Sequence, residues 1–597
     1  MNNAKTGECF LATTALEEFW DPSKPIVFLG EWCLLYERRS YWGALDGGLM
    51  SSPYDKVDAA EDAYVHVSHI YEQVLMQLGG ALNAIHGKNY SSRYWRILVG
   101  PWLQLYLSAV HDRYVCLKHA LDQYPNCTTI GLSEKSFVVP TDTLDFVCFL
   151  FGDSYNLQLY SKILSALGRD FPRKETDMPR NPLYGKLHGE SWKRRAINLA
   201  LKTYSGVIAR FSKTVFLQNS YFSARIALKL TARNIGRILP GMNKMIPSSR
   251  FECDTEKRNA LRFIEIGEGD FGRCLSAMLF EDIPQCFIEG FQAVENEAGK
   301  YYPKQVKAIF SANGWYYDEL FKQWAAKSAD KGTLLLGTQH GGIYGGMKNM
   351  PSEDHETALV DFYYSWGWER KDCKAKVLPM PATKLIGRKE IGADSSKEDI
   401  LWVATTAPRY HLIETPSLPV HFREYLAWQA RFAKVLPQEV MRVVRFRPHY
   451  EDHGWGTVER IKNCIPGIRV ESWDVPFQVS METCRLYVCD HFSTTFTEAL
   501  AVNKPTILFC NPQTNQIRPE AQPYFDLLRG GGILFDTPEA AASTVAAVYQ
   551  DVEAWWNASE RQKVVRVFRE RFARTSPDAI ALWSSELKRV SNLPNLQ

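Results

Sequence analysis

The chain has 597 residues, 45% of them hydrophobic and 23% charged, with a formal net charge of +3. This length exceeds one ordinary domain, the composition is that of a folded globular protein, and a charge so near neutral excludes a nucleic-acid footprint. No apolar run reaches the roughly 18 residues that span a bilayer; the thirteen cysteines show no CxxC pair or zinc spacing and, with no signal peptide, point to reduced thiols in the cytoplasm.

Pro25–Cys33 contains a short apolar strand, Ile26–Leu29, ending in Gly30-Glu31-Trp32. It reads as the opening strand of a Rossmann-type domain, with Glu31 on its carboxyl-end loop. Residues 55–300 are dominated by helical spacing, as in Ala60–Leu78 and in Ser92–Ala120, where Trp95, Leu98, Trp102, Leu105 and Val110 share a stripe. Strand candidates interrupt this region at Thr128–Leu132, Phe146–Phe151 and Thr214–Gln218, and the charged, proline-rich Gly168–Leu187 reads as a surface loop. Lys193-Arg-Arg195 reads as a solvated face, and Asp112-Arg113 as a salt-bridged corner of the core. The region is too long for ordinary βα loops, so it is taken as a helix-rich expansion of the first domain that holds the acceptor.

Next come a strand at Val306–Phe310, a helix over Tyr317–Lys331 closed by Gly332, and Thr333-Leu-Leu-Leu-Gly-Thr-Gln-His-Gly-Gly-Ile-Tyr344. An uninterrupted leucine run is what a strand covered on both faces looks like. The turn after it presents Gln339 and His340 at the carboxyl end, where open α/β sheets place ligands. The plainer reading is a turn whose histidine is merely hydrogen-bonded. Lys348–Thr357 is polar, Ala358–Trp368 an aromatic strand, and 371–382 a crossover into a second domain. There, strands at Ile400–Thr405, Val440–Arg445, Ile468–Ser472, Leu486–Cys489, Thr506–Phe509 and Ile533–Phe535 alternate with helices, the pattern of a parallel doubly wound sheet.

Polar residues cluster after these strands. Ser493, Thr494 and Thr495 sit at a helix start facing the cleft, a ready anion site and the preferred reading; the plainer one is that Thr495 with Glu498 fits a capping box that needs no ligand. Thr405-Thr406 follows the first strand of the second domain and reads equally as a phosphate loop or a plain polar one. Arg447-Pro448-His449 sits at another strand end. His449 and His453 suggest a metal only weakly, because no carboxylate or thiolate completes a set. No metal or other cofactor is expected.

Gln339-His340-Gly341, Asp361–Ser365, Arg447-Pro448-His449 and Ser493-Thr494-Thr495…Glu498…Lys504-Pro505, in that order, resemble the GT-B glycosyltransferases, above all those of capsule and lipopolysaccharide synthesis that use CMP-activated Kdo or related nonulosonic acids. CDP-glycerol glycerophosphotransferases share a similar series. With Leu29–Cys33 and Tyr364–Trp368, the whole chain resembles transferases of similar length from O-antigen gene clusters. The resemblance implies an α/β GT-B fold, two Rossmann-like domains facing a cleft, divided here as 1–370 and 371–597. It implies that Pro448-His449 contacts the cytidine nucleotide, that Ser493, Thr494 and Thr495 hold its phosphate, and that His340 acts as base or as donor to the leaving phosphate. Glu31, chosen from the residues alone, is a carboxylate across the cleft, and Gln339 accompanies His340. Thr405, Thr406, Arg447 and Glu498 complete the donor side. The expected partners are a nucleotide-sugar donor and a glycan, lipid-linked glycan or protein acceptor, with peripheral inner-membrane contact left open. A glycerophosphotransferase, a nucleotide-sugar epimerase and a non-catalytic assembly protein are the rival readings.

Overall fold

The computed structural model describes residues 8–178, 214–241, 249–262, 264, 266–267, 269–410, 412 and 422–594. The 168–187 loop beyond 178 and the basic triplet at 193–195 lie outside the described residues. Three short strands, β1 (Phe10–Ala12), β2 (Ile26–Phe28) and β3 (Gly47–Leu49), form a parallel sheet of their own. On its free edge Phe10 bridges Thr128, and just beyond, β4 (Gly131–Leu132) pairs with β5 (Arg173–Lys174). Ile26–Leu29 is therefore not the opening strand of the sheet that carries His340, because β1 and the pairing with Gly47–Leu49 place it elsewhere.

Two long helices, Val57–His86 and Ser92–Gln123, pack on each other, and the second packs on the helices Asp153–Ala166 and Glu319–Ala329. The second is capped by Ser91, whose hydroxyl accepts from the Tyr94 N–H at 3.1 Å, and it is buried on most of its circumference, as a central helix must be when it is apolar nearly all round. Phe146–Phe151 is helical, not a strand: Asp142 caps a helix over Thr143–Leu150, accepting from the Asp145 N–H at 2.9 Å. Asp112 and Arg113 form the expected buried ion pair, at 3.0 Å.

The second sheet holds β6 (Val215–Gln218), β7 (Ile238–Pro240), β8 (Ala308–Ser311), β9 (Leu334–Thr338), β10 (Phe362–Ser365) and β11 (Lys376–Pro379). Its order is β7-β6-β8-β9-β10-β11, all parallel. Asp318 caps the helix Glu319–Ala329, and Gly332, at φ 85°, turns the chain into β9. The segment expected as a crossover supplies β11 to this same sheet. The polar stretch after His340 contains a helix, Pro351–Leu359, with proline in its first turn followed by Glu353 and Asp354, the arrangement that favours a helix start.

The third sheet is β12 (Ile400–Val403), β13 (Val444–Arg447), β14 (Arg469–Val470), β15 (Leu486–Cys489), β16 (Thr506–Phe509) and β17 (Leu534–Phe535). The order β14-β13-β12-β15-β16-β17 is that of a doubly wound dinucleotide-type sheet. The last helix, Ala579–Ser591, returns to the second sheet, where Trp583, Leu587 and Val590 join the core formed by Val215, Phe310 and Tyr364. Two Rossmann-like parallel sheets, a cleft between them and a helix-rich expansion ahead of β6 make this the α/β GT-B fold.

Candidate functional site

In the third sheet the strand order reverses between β12 and β15, so the crevice lies between Thr405, after β12, and Asp490-His491, after β15. A cavity of about 240 Å³ occupies it. Phe422, Tyr425 and Trp428 form its aromatic side, and Ile343 and Met347 reach in from the second sheet. Asp490, 3% exposed, accepts from Trp402 Nε1 at 2.9 Å, Gln429 Nε2 at 2.9 Å and the Tyr425 hydroxyl at 2.8 Å. His491 Nδ1 lies 2.9 Å from Asp490 Oδ1. Burial works against the His491 cation, but the Cys489 sulfur and the Asp490 carboxylate outweigh it and hold the imidazole above its ordinary range. Tyr425 also accepts from the Thr405 N–H at 2.9 Å.

On the opposite wall, His340 follows β9 at the carboxyl edge of the second sheet. Its Nε2 lies 2.9 Å from Glu356 Oε1, on the helix Pro351–Leu359. Glu356 is fully buried and also accepts from the hydroxyls of Tyr316 at 2.7 Å, Tyr344 at 3.2 Å and Tyr363 at 2.8 Å. Burial, reinforced by Glu356, raises all three tyrosines well above their ordinary values, so they stay protonated as donors. Tyr221 stands over the imidazole, ring centroids 6.0 Å apart, with φ 60°. A bulky residue in the left-handed region is uncommon outside functional sites.

The two walls touch at the turn beside His340. The Gly342 N–H donates to Thr494 Oγ1 at 2.9 Å. A Cβ on Gly342 would lie 2.4 Å from the Ser493 carbonyl oxygen and 2.7 Å from Thr494 Cα. The contact continues where Met347 bridges Ile517 and the Arg518 N–H donates to the Gly346 carbonyl at 2.8 Å. Fully buried Glu353 locks it, binding the Gly345 N–H at 2.6 Å, Arg370 at 2.9 Å and Arg518 at 2.7 Å.

The helix after β15 begins at Thr494 with Ser493 as its cap, accepting from the Thr495 N–H at 3.2 Å. The capping box expected from Thr495 and Glu498 therefore does not form; the cap is Ser493, two residues earlier, with Phe496 at the third helical position. Thr495 is bonded through its hydroxyl to Ser493 at 2.7 Å and to Tyr487 at 2.8 Å. Glu498 leaves the cleft to pair with Lys384 at 2.5 Å. Gln339 is fully buried, its carbonyl oxygen accepting from the Trp366 N–H at 2.9 Å and Trp368 Nε1 at 2.8 Å, so it holds the loop and does not face a substrate. Arg447, 2% exposed, is committed to Glu471 at 2.6 Å and stacked under Trp473, and the Pro448 carbonyl accepts from Trp473 Nε1 at 2.8 Å. His449 lies beside this group, its pKa lowered by burial. Thr406 keeps a buried hydroxyl beside Thr405. Glu31 pairs with Arg423 at 3.2 Å, and burial raises its carboxyl pKa while Arg423 pulls it down. Among the described residues no cluster of histidine, cysteine and carboxylate side chains has the arrangement of a metal site.

Residue-level reading missed Glu356, Glu353, Tyr425 and Asp490. Asp490 had a signal, since it ends a strand within the same stretch as Ser493; Glu356 sits in a run that looks merely polar.

The LIC12162 family transferase model matches residues 9–587. No curated protein matches the chain. Among solved structures, the HepE protein of Anabaena in complex with UDP is 12% identical, with 64% of this chain and 100% of that one covered at a TM-score of 0.33. MurG of Acinetobacter baumannii is 9% identical, covering 63% and 99% at 0.31. A UDP-forming α,α-trehalose-phosphate synthase of Burkholderia vietnamiensis is 10% identical, covering 65% and 99% at 0.33. Likenesses this slight add nothing to the sheet topology. The family match spans nearly the whole length, and the chain belongs to the LIC12162 family of transferases.

Proposed function

We propose that this transferase moves a sugar from a nucleotide donor, of the CMP-activated Kdo or nonulosonic acid type, to a hydroxyl of a surface-glycan, lipid-linked-glycan or protein acceptor. The observation that carries the reading is the Gly342–Thr494 contact, which brings the His340–Glu356 pair and the helix start at Ser493 together. Loss of the nucleotide builds negative charge on its phosphate, and a helix N-terminus with Ser493 is suited to receive it. With Nε2–H donated to Glu356, His340 keeps its Nδ1 lone pair for the acceptor proton, and Glu356 stabilises the imidazolium that forms.

The aromatic side of the cavity suits a nucleobase, and Asp490 orients the polar groups around it. The described lining includes Glu424, Asp490 and His491, and His491 is its cationic group. No metal or cofactor enters this scheme. No helix among the described residues is long and apolar enough to cross a membrane; contact with lipid-linked acceptors would be peripheral.

A thermal-shift titration with CMP, CDP, UDP, GDP and ADP on the wild type and Ser493→Ala tests the reading, because a ligand of the folded state raises the melting temperature. Selective stabilisation by CMP, weakened in the variant, is expected. A preference for UDP or GDP would discard the CMP donor, and no response to any nucleotide would overturn the donor reading.

A further inference from the structure

The N-terminal sheet has a reversal point of its own, with β1 between β2 and Thr128. The order reverses at β1, whose carboxyl end, Ala12–Ala15, is where such a sheet takes a ligand. Here the protein's own loop after β12 fills that place. Arg409 reaches Asp153 through Nη2 to Oδ2 at 2.6 Å and through Nη1 to Oδ1 at 3.3 Å, and it also donates to the Trp32 carbonyl. The Tyr410 hydroxyl donates to Asp153 Oδ1 at 2.5 Å, and the Ala15 N–H reaches the same oxygen at 3.2 Å. Arg409 and Tyr410 are both buried.

This loop starts at Thr405 on the cavity, 2.9 Å from the Tyr425 hydroxyl that in turn binds Asp490. Two further ties run from the N-terminal module to the same half. Glu31 pairs with Arg423, at the head of the helix that carries Phe422, Tyr425 and Trp428 into the cavity. The Tyr36 N–H donates to the Gly454 carbonyl at 3.3 Å. Gly454 and Gly456 have φ of 85° and 66°, and a Cβ on them would lie 2.5 Å from Leu35 and 2.4 Å from the Tyr36 ring. The module is meanwhile fastened to the other half, where Lys322 Nζ donates to the Leu98 carbonyl at 3.1 Å and Arg93 pairs with Asp361 at 3.0 Å.

We propose that residues 8–178 brace the two halves, and that Asp153 is a positioning residue for donor binding, presetting the Thr405 loop through Arg409 and Tyr410. This rests on the donor reading of the cavity given above. In the full-length protein, Asp153→Asn keeps the shape and removes the charge; Arg409→Gln breaks the pair from the other side.

The test measures CMP binding by calorimetry, donor and acceptor KM, kcat, and hydrogen exchange of residues 404–410 without nucleotide. The expected result for either variant is a tenfold or greater rise in the CMP Kd and donor KM, with kcat and acceptor KM within twofold, and faster exchange in the loop. The double variant should be no worse than the singles, since both act through one pair. Wild-type CMP binding with unchanged Kd and loop exchange in soluble, cooperatively melting Asp153→Asn would overturn the brace alone. A variant that aggregates is replaced by Arg409→Gln under the same criteria. No nucleotide binding by the wild type would remove the donor reading and this proposal with it.

Discussion

His340 Nε2 lies 2.9 Å from Oε1 of Glu356, and that carboxylate has no exposure to solvent. Four donors converge on Glu356, so its charge is offset by hydrogen bonds in place of water. The imidazole is thereby held in direction, its Nε2 facing Glu356 and, at 2.8 Å, the Tyr344 hydroxyl. Glu356→Gln should leave nucleotide binding intact and lower kcat by about 100-fold, the lower end of what a positioned acid–base group contributes. His340→Ala should cost at least as much. Tyr363→Phe leaves three of the four donors and should cost less than either. Single-turnover rates at saturating donor check the order.

The junction of the halves gives a second prediction. Gly342→Ala forces a Cβ against backbone atoms of Ser493 and Thr494 that cannot swing away. Overpacking of this kind costs roughly 1–3 kcal/mol, and here it should also remove nucleotide-induced stabilisation. Gly80, inside the helix Val57–His86, has no atom within 4 Å of an added Cβ. Gly80→Ala should raise stability by roughly 0.5–1 kcal/mol, as expected when glycine is replaced within a helix. Denaturant midpoints of the pair separate a local clash from a general intolerance of alanine.

How much of this was legible in the residues depends on where the burial is apolar. Strand–helix alternation made the third sheet readable, because each strand is an apolar run bounded by polar loops. The helix Pro351–Leu359 was not readable, since its buried positions include Glu353, His355, Glu356 and Thr357; a hydrophobic period cannot reveal a face buried through hydrogen bonds. Phe146–Phe151 is an apolar run that either element could bury, and the deciding signal was the cap at Asp142. The N-terminal sheet is hidden by strands of only two or three residues, too short to show alternation. The motifs at His340 and Ser493 were visible as positions, but the use of their neighbours Gln339, Thr494 and Glu498 is set by contacts far away in the chain.

Glu353 supplies a third prediction through the asymmetry of its partners. It is fully buried and faces two guanidinium groups, Arg370 and Arg518. Glu353→Gln leaves Arg518 without its counter-charge, while Arg370 keeps Asp354 at 2.5 Å and Asp372 at 2.9 Å, and should destabilise by about 3 kcal/mol, the lower end of what breaking a buried pair costs. Arg518→Met leaves Arg370 in place and should cost less, while loosening the loop that joins Gly346 to Arg518. Urea unfolding of the two variants measures the difference.

His355 makes stability depend on pH in a definite direction. It is buried on the helix that carries Glu356, and desolvation, aided by Arg96 and Lys322, lowers its pKa to about 3. Because the folded value lies below the ordinary one of 6.5, the unfolded chain takes up a proton that the native state refuses. Stability from this group is therefore complete above pH 6.5 and falls as pH drops from 6.5 toward 3. At the limiting slope of ~1.4 kcal/mol per pH unit, about 2 kcal/mol is lost by pH 5. His355→Asn cannot take up that proton, so its unfolding free energy should change less between pH 7.5 and 5, even if its value at pH 7.5 is lower. Equal slopes for variant and wild type would show that acid destabilisation arises elsewhere, and that the imidazole is not held neutral by its surroundings.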